Sequence, residues 1–306
     1  MEFGVHLPSA GPGASAAGIL EVARGVEDLG FDAVWLFDHL FTPTDLETKY
    51  PYSGDGGYAL SAADPFFDPL ALIGVISAAT SKVKIATGVM IAAYRSPIVL
   101  AKALATIENF APGRLVMGLG TGWMREEFDA LGVPFETRGA RFTEYIKALR
   151  AIWSGEACAF EGEFYRWEEA GFLPAPTAPI PLIVGGHSDG ALKRAARHGD
   201  GWAGITRKGQ GSGLEGLEAR LGVLDGSLDE AGRSRDGFEV TYQSALWFSD
   251  TPNDKLPLTG PPEVIAESLK RLDELGVTMI DLAVFGPPSL IVETAGRFAA
   301  EVKPLL

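Results

Sequence analysis

A three-part unit recurs along this chain and limits the folds open to it: an amphipathic helix, a glycine, then a short apolar run. Residues 16–30 (AAGILEVARGVEDLG) end at Gly30 and lead into FDAVWLF. Residues 189–199 (DGALKRAARHG) end at Gly199 before DGWAGI, and residues 264–276 (VIAESLKRLDELG) end at Gly276 before VTMIDLAVF. Glycine suits a left-handed helix terminus because it has no Cβ to clash. The runs that follow are too apolar for half-exposed strands. Strands buried on both faces belong to parallel sheets covered by helices.

The same pattern places eight strands, at 3–7 (FGVHL), 33–37, 84–88, 114–120, 181–185, 201–205, 238–244 and 279–284. Helices fall between them, near 16–29, 69–80, 97–110, 138–154, 189–198, 213–231, 262–275 and 289–302. Eight strands in alternation with eight helices predict an α/β fold, a (β/α)8 TIM barrel, with residues 1–306 as one domain. A doubly wound open sheet is the competitor, but the first β–α turn, PSAGPGASAAG, is not a clean dinucleotide fingerprint.

Two insertions, at about 39–68 and 155–180, break the alternation, and connections this long are commonly lids or binding loops. The first leaves the C-terminal end of strand two, the face on which barrel enzymes place their chemistry. The second leaves a helix at the opposite face. Its aromatic residues, Phe160, Phe164, Tyr165, Trp167 and Phe172, are expected to form a satellite cluster or a partner surface.

Strand ends supply the candidate chemistry. Strand two ends in Phe37-Asp38-His39, and a histidine beside a carboxylate at a barrel mouth suits a general acid or base; a loop histidine after an Asx turn reads equally well. Strand four runs into Gly118-Leu119-Gly120-Thr121-Gly122-Trp123, which allows close backbone approach by a ligand or marks only a tight turn. Strand five runs into Gly185-Gly186-His187-Ser188-Asp189-Gly190 and a helix, a ready anion site by its free N–H groups and dipole. Asp189 would repel a phosphate there unless turned away. Strand three ends in Thr87-Gly88-Val89-Met90, before a proline helix start. The four histidines are scattered and Cys158 is alone, so no metal site is expected.

Composition excludes several classes. With 26 Lys+Arg against 40 Asp+Glu, the net charge of −14 disfavours a nucleic-acid or membrane-surface protein. One cysteine cannot form an internal disulfide. The N-terminus MEFGVHLPSAGPG lacks a basic, then apolar, leader, and the apolar runs are short for a membrane span. A cytoplasmic location is expected, with no nucleic acid and no membrane partner.

Several stretches together resemble the luciferase-like monooxygenase family, in particular its actinobacterial coenzyme F420-dependent oxidoreductases. They are LGFDAVWLFDHLFTP, the long segment from ATSKVKIATGVM to KALRAIW, EGEFYRW and PLIVGGHSDGALKRAARHGDGW, with PPEVIAESLKRLDELGV near the end. The resemblance implies a (β/α)8 barrel, a small-molecule substrate and a homodimer. It implies that Asp38 contacts the deazaflavin ring and that His39 is the active-site histidine. Thr87, Gly88 and Val89 would then form the bulge behind the ring, with a non-prolyl cis peptide at Gly88–Val89. Thr121 and Gly122 would touch the cofactor beside the ring, and Gly185, Gly186 and Ser188 would bind its phosphate.

One departure stands out: family members that oxidise sugar phosphates or simple alcohols carry a glutamate where this chain has Trp123. An indole cannot shuttle a proton, and Trp123 suits a wall for a flat or apolar substrate. The expected function is hydride transfer between F420 and an unidentified organic substrate. The alternatives are a reduced-FMN-dependent monooxygenase and a noncatalytic flavin- or deazaflavin-binding protein. Arg125, Arg138, Arg141, Lys193, Arg194, Arg207 and Lys208 are a candidate basic strip for the anionic tail of the coenzyme.

Overall fold

A computed structural model describes residues 1–205, 213–253 and 255–306. Eight parallel strands close into a barrel: β1 (Glu2–His6), β2 (Ala33–Leu36), β3 (Lys84–Thr87), β4 (Leu115–Gly120), β5 (Leu182–Gly185), β6 (Gly201–Ile205), β7 (Glu239–Ala245) and β8 (Met279–Ala283). Going round, the order is β3-β2-β1-β8-β7-β6-β5-β4, and pairing of Ile85 with Leu115 and Ala86 with Val116 closes the ring. The helices α1 (Ala16–Asp28), α2 (Pro69–Ala79), α3 (Pro97–Phe110), α4 (Arg125–Leu131), α5 (Arg138–Ile152), α6 (Asp189–His198), α7 (Gly213–Glu230), α8 (Pro262–Glu274) and α9 (Pro288–Arg297) connect the strands. The expected TIM barrel is the observed fold.

Two-residue periodicity divides the strands between two cores. In β2, Ala33 and Trp35 point into the barrel, where they pack with Ala86, Val116, Ile183 and Met279. Their neighbours Val34 and Leu36 point outward, into the larger core that includes Ile19 and Val22 of α1. The Trp35 indole fills the barrel interior, and Gly4 of β1 leaves the space its ring nitrogen occupies.

Helix ends follow local chemistry. The Ser15 hydroxyl accepts the Gly18 amide to cap α1, and Gly30 and Gly276, at φ +73° and +82°, end α1 and α8 in the left-handed region. Gly199 differs from expectation. Its φ is −88°, and glycine is required there by crowding: a Cβ would lie 3.0 Å from the Ala195 carbonyl oxygen and 3.0 Å from Val184.

The second insertion folds as an antiparallel hairpin, Cys158–Glu161 with Arg166–Ala170. Glu144 of α5 accepts the amides of Glu163, Phe164 and Tyr165 at its turn. Tyr165, Trp167 and Phe172 pack against the main core, which is the satellite-cluster reading. Helix α4, between β4 and α5, has no counterpart in the predicted elements. No described helix is long and apolar enough to cross a membrane.

Candidate active site

The site is built around a bulge after β3. The Gly88–Val89 peptide is cis, as the resemblance implies, and Met90–Ile91 then resumes pairing, with Leu119 and Gly120 of β4. Glycines on the neighbouring strands clear the space for Val89. A Cβ at Gly120 would stand 2.5 Å from Val89 Cγ2, and one at Gly185 would stand 2.7 Å from Val89 Cγ1. A Cβ at Gly118 would collide with the Thr87 carbonyl oxygen. Thr87 is wholly buried beneath, its hydroxyl donating to the Gly118 carbonyl at 2.7 Å. The glycine run in β4 therefore answers first to packing around the bulge. The outcome is a wall at Gly88, Val89, Gly120, Gly185 and Gly186 with almost no side chain on it.

Asp38, at the end of β2, has a fully buried side chain. Arg95 grips it with both terminal nitrogens, at 2.6 and 3.1 Å, and the Ile91 amide donates to it at 2.9 Å. Burial pushes the carboxyl up from the ordinary carboxylate value, while Arg95 and the amide favour the charged form. Burial also opposes the charge on Arg95, but hydrogen bonds and attraction from Asp38 and Asp68 outweigh it and hold the guanidinium above its ordinary value. The pair ties the mouth of β2 to the segment after the bulge.

His39 is buried at 7% exposure and sits beside Glu127, the third residue of α4. Its Nδ1 lies 2.7 Å from Glu127 Oε2, an oxygen that also accepts the Tyr94 hydroxyl. Glu127 Oε1 accepts the Leu40 amide at 2.5 Å. Burial, then the charge of Glu127, push the Tyr94 phenol far above its ordinary value, so it remains a donor. Tyr94 was not marked by the sequence pattern, and Glu127 stood in it only as a carboxylate near Trp123 whose direction the sequence does not fix. The one available signal was an acidic pair, Glu126-Glu127, in what proves to be the first turn of α4, where the helix dipole favours carboxylates.

Aromatic rings enclose the histidine. His39 meets Tyr58, Phe66 and Trp123 edge-on at 5.5, 5.6 and 5.5 Å between centroids, and Trp123 also meets Tyr50 and Tyr58 at 5.1 Å each. Burial, with Tyr52 adding to it, pushes the Tyr50 phenol up to about 12. Tyr50 and Tyr58 belong to the 39–68 insertion, which lies over the barrel mouth. Its far end is pinned by bonds from the Phe67 amide to Ser9 and from the Gly11 amide to Pro65, and its middle by Glu126 Oε1, which accepts the Glu47 and Thr48 amides at 2.9 and 3.0 Å.

After β5, Gly186 has φ +119°, and Ser188 caps α6 by accepting the Ala191 amide at 3.2 Å. Asp189 is held by Arg220 at 2.7 Å, which neutralises the acid that would oppose an anion. On the barrel floor, Gln243 Nε2 donates to Asp281 Oδ2 at 2.6 Å, and His6 Nδ1 lies 3.0 Å from the same oxygen.

One open cavity of about 1690 Å³ gathers these parts. Asp38, His39, Gly88, Val89, Thr121, Gly122, Trp123, Gly185 and Gly186 all line it, Thr87 lies buried behind its wall, and Ser188, exposed at the start of α6, does not line it. The described members of the basic strip engage partners elsewhere. Arg125 pairs with Glu136, Lys193 with Glu230, Arg194 donates to Thr143 and Gly139, and Arg138 and Arg141 lie over Phe135 and Phe164. None of these five lines the cavity, because all are carried on α4, α5 and α6 outside the barrel mouth. Arg207 and Lys208 lie outside the described residues.

The family model for luciferase-like monooxygenases matches residues 1–256. The chain belongs to the luciferase-like monooxygenase family. It is 32% identical over 259 residues to an uncharacterized protein of Mycobacterium tuberculosis, covering 85% of this chain and 82% of that one. It is 34% identical over 245 residues to an F420-dependent glucose-6-phosphate dehydrogenase of Kineococcus radiotolerans, covering 79% and 67%.

Among solved structures, an F420-dependent secondary alcohol dehydrogenase carrying an F420–acetone adduct shares the fold at TM-score 0.79 and 18% identity, over 100% of this chain and 99% of that one. A monooxygenase of Streptomyces bottropensis does so at TM-score 0.79 and 21% identity, over 99% of each. In this luciferase-like barrel, the carboxylate that reaches His39 comes from Glu127, one helical turn beyond Trp123.

Proposed function

We propose that this luciferase-like protein is a coenzyme F420-dependent oxidoreductase acting on a small organic substrate at the barrel mouth. The observation that carries this reading is the bare wall around Val89 in the same cavity as a carboxylate-held histidine. Backbone at Gly88, Gly120, Gly185 and Gly186 suits a flat ring, which side chains there would keep away. The first-turn amides of α6 suit a phosphate. The Ser188 hydroxyl accepts from Ala191 and keeps its own proton to donate. Thr87 supports the bulge from beneath, and Thr121 and Gly122 border the ring site. When bound, the deazaflavin supplies hydride transfer at C5.

His39 gives or takes the accompanying proton through Nε2, since Nδ1 is engaged by Glu127. Asp38 contributes through its ion pair with Arg95, fixing the β2 end that carries His39. Trp123, Tyr50 and Tyr58 wall the substrate side and keep water out. A homodimer fits the apolar side chains exposed on the paired helices α2 and α3: Val75 at 49%, Val99 at 58% and Phe110 at 84%. The single free cysteine is in keeping with a cytoplasmic setting.

Reduced-FMN-dependent oxygenation is the second reading, favoured by the backbone character of the ring wall, which selects ring shape more than the identity of its central atom. Fluorescence titration with F420 and FMN in parallel, each oxidised and reduced, separates the two. Selective F420 binding is expected. Preference for reduced FMN moves the protein to the monooxygenases, and binding of neither removes both readings. His39→Ala should lower turnover by about 10²-fold or more.

A further inference from the structure

We propose that Glu127 is a positioning residue for His39, locking the imidazole in the Nδ1–H tautomer so that Nε2 is the nitrogen offered to the cavity. The partner set around the carboxylate dictates this. Glu127 is completely buried and accepts on both oxygens: Leu40 N–H on Oε1, Tyr94 O–H and His39 Nδ1 on Oε2. The Leu40 amide is always a donor, and Tyr94 stays protonated because burial and the adjacent carboxylate oppose its ionisation.

A lone pair on Nδ1 would face a carboxylate oxygen at 2.7 Å in a dry site, so the proton sits on Nδ1. The other groups packed on the ring are Tyr58, Phe66 and Trp123, which hold its plane by edge contacts. The chain reaches this arrangement through Gly122, at φ +78°, whose missing side chain lets Phe128 and Ile91 pack close and start α4 with Glu127 turned inward.

Tyr94 is the second half of the device. By donating to Oε2 it fixes the carboxylate from the side opposite the Leu40 amide and leaves that oxygen an acceptor towards Nδ1. The proton-handling role of His39 rests on the function proposed above; the tautomer and its cause do not.

The test uses cofactor-free protein with nitrogen-15-labelled histidine rings and reads the ring nitrogens of His39 across pH. Wild type should show Nδ1 protonated and Nε2 bare above the protonation midpoint. Glu127→Gln places an amide N–H where Nδ1 needs an acceptor, so the tautomer should switch to Nε2–H. Tyr94→Phe leaves the Glu127 carboxylate on Nδ1 and should keep the tautomer, and it decides the case with the wild type if Glu127→Gln does not fold. An Nε2–H tautomer in wild type, or a Glu127→Gln protein with an unchanged tautomer, overturns the proposal. Failure of F420 and FMN to bind would leave these spectra unaltered.

Discussion

Val89 occupies the space that a side chain on Gly120 would need: a Cβ there would lie 2.5 Å from Val89 Cγ2. Gly120→Ala must therefore move the bulge after β3, because β4 is held on its other edge by β5. Overpacking of this kind costs about 1–3 kcal/mol. The expected outcome is a modest loss of thermal stability together with a larger loss of flavin or deazaflavin affinity, read by melting and by fluorescence titration. An alanine variant that melts lower but binds as wild type would separate the bulge from the cofactor wall.

Asp38 and Arg95 yield a prediction of another kind. Each side chain is at most 10% exposed, and removing one partner of a buried pair costs about 3–5 kcal/mol; Asp68, which also pairs with Arg95, retains part of the compensation and sets the loss at the low end of that range. Asp38→Asn should thus destabilise the fold in chemical denaturation even without cofactor. Replacing both partners, Asp38→Asn with Arg95→Met, should recover part of that loss. If Asp38→Asn left stability untouched and weakened only cofactor binding, Asp38 would be a ligand contact first and a structural ion pair second.

Those two sites show what the sequence could and could not convey. The barrel was legible because strand burial and helix termination are local: an apolar run of five residues and a glycine two places away carry the information themselves. Asp38 and His39 were legible as a strand end, whereas the Gly88–Val89 bulge followed only from the family resemblance. Glu127 was not, because its meaning depends on His39, 88 positions earlier, and on the direction of α4, a seven-residue helix with no side-chain cap. Arg95, just before the proline helix start, carries no signal of its own for the same reason; its partner is 57 positions away. The basic strip shows the opposite case: its five described residues look alike in sequence, yet each meets a local carboxylate, carbonyl or ring that nothing in their spacing announces.

Glu126 makes the lid sensitive to acid. Burial alone would raise its carboxyl, but the amides of Thr48 and Glu47 favour the ionised form and hold it below the ordinary value of 4.5. A carboxylate lowered in the folded state contributes its full stabilisation above the unfolded value and loses it as pH falls through the folded one. The 39–68 insertion should therefore stay closed at neutral pH and loosen below about pH 4.5, the ordinary carboxylate range, ahead of the barrel. Limited proteolysis with an acid-active protease reads this directly: cleavage within 39–68 should appear at a higher pH than cleavage in the barrel strands. Glu126→Gln keeps Oε1 as the acceptor for both amides but removes the charge, so its lid should be cut faster than wild type at neutral pH and show little further change on acidification. Equal cleavage of variant and wild type across the range would mean that the tyrosine contacts to Trp123, rather than the Glu126 clamp, keep the lid down.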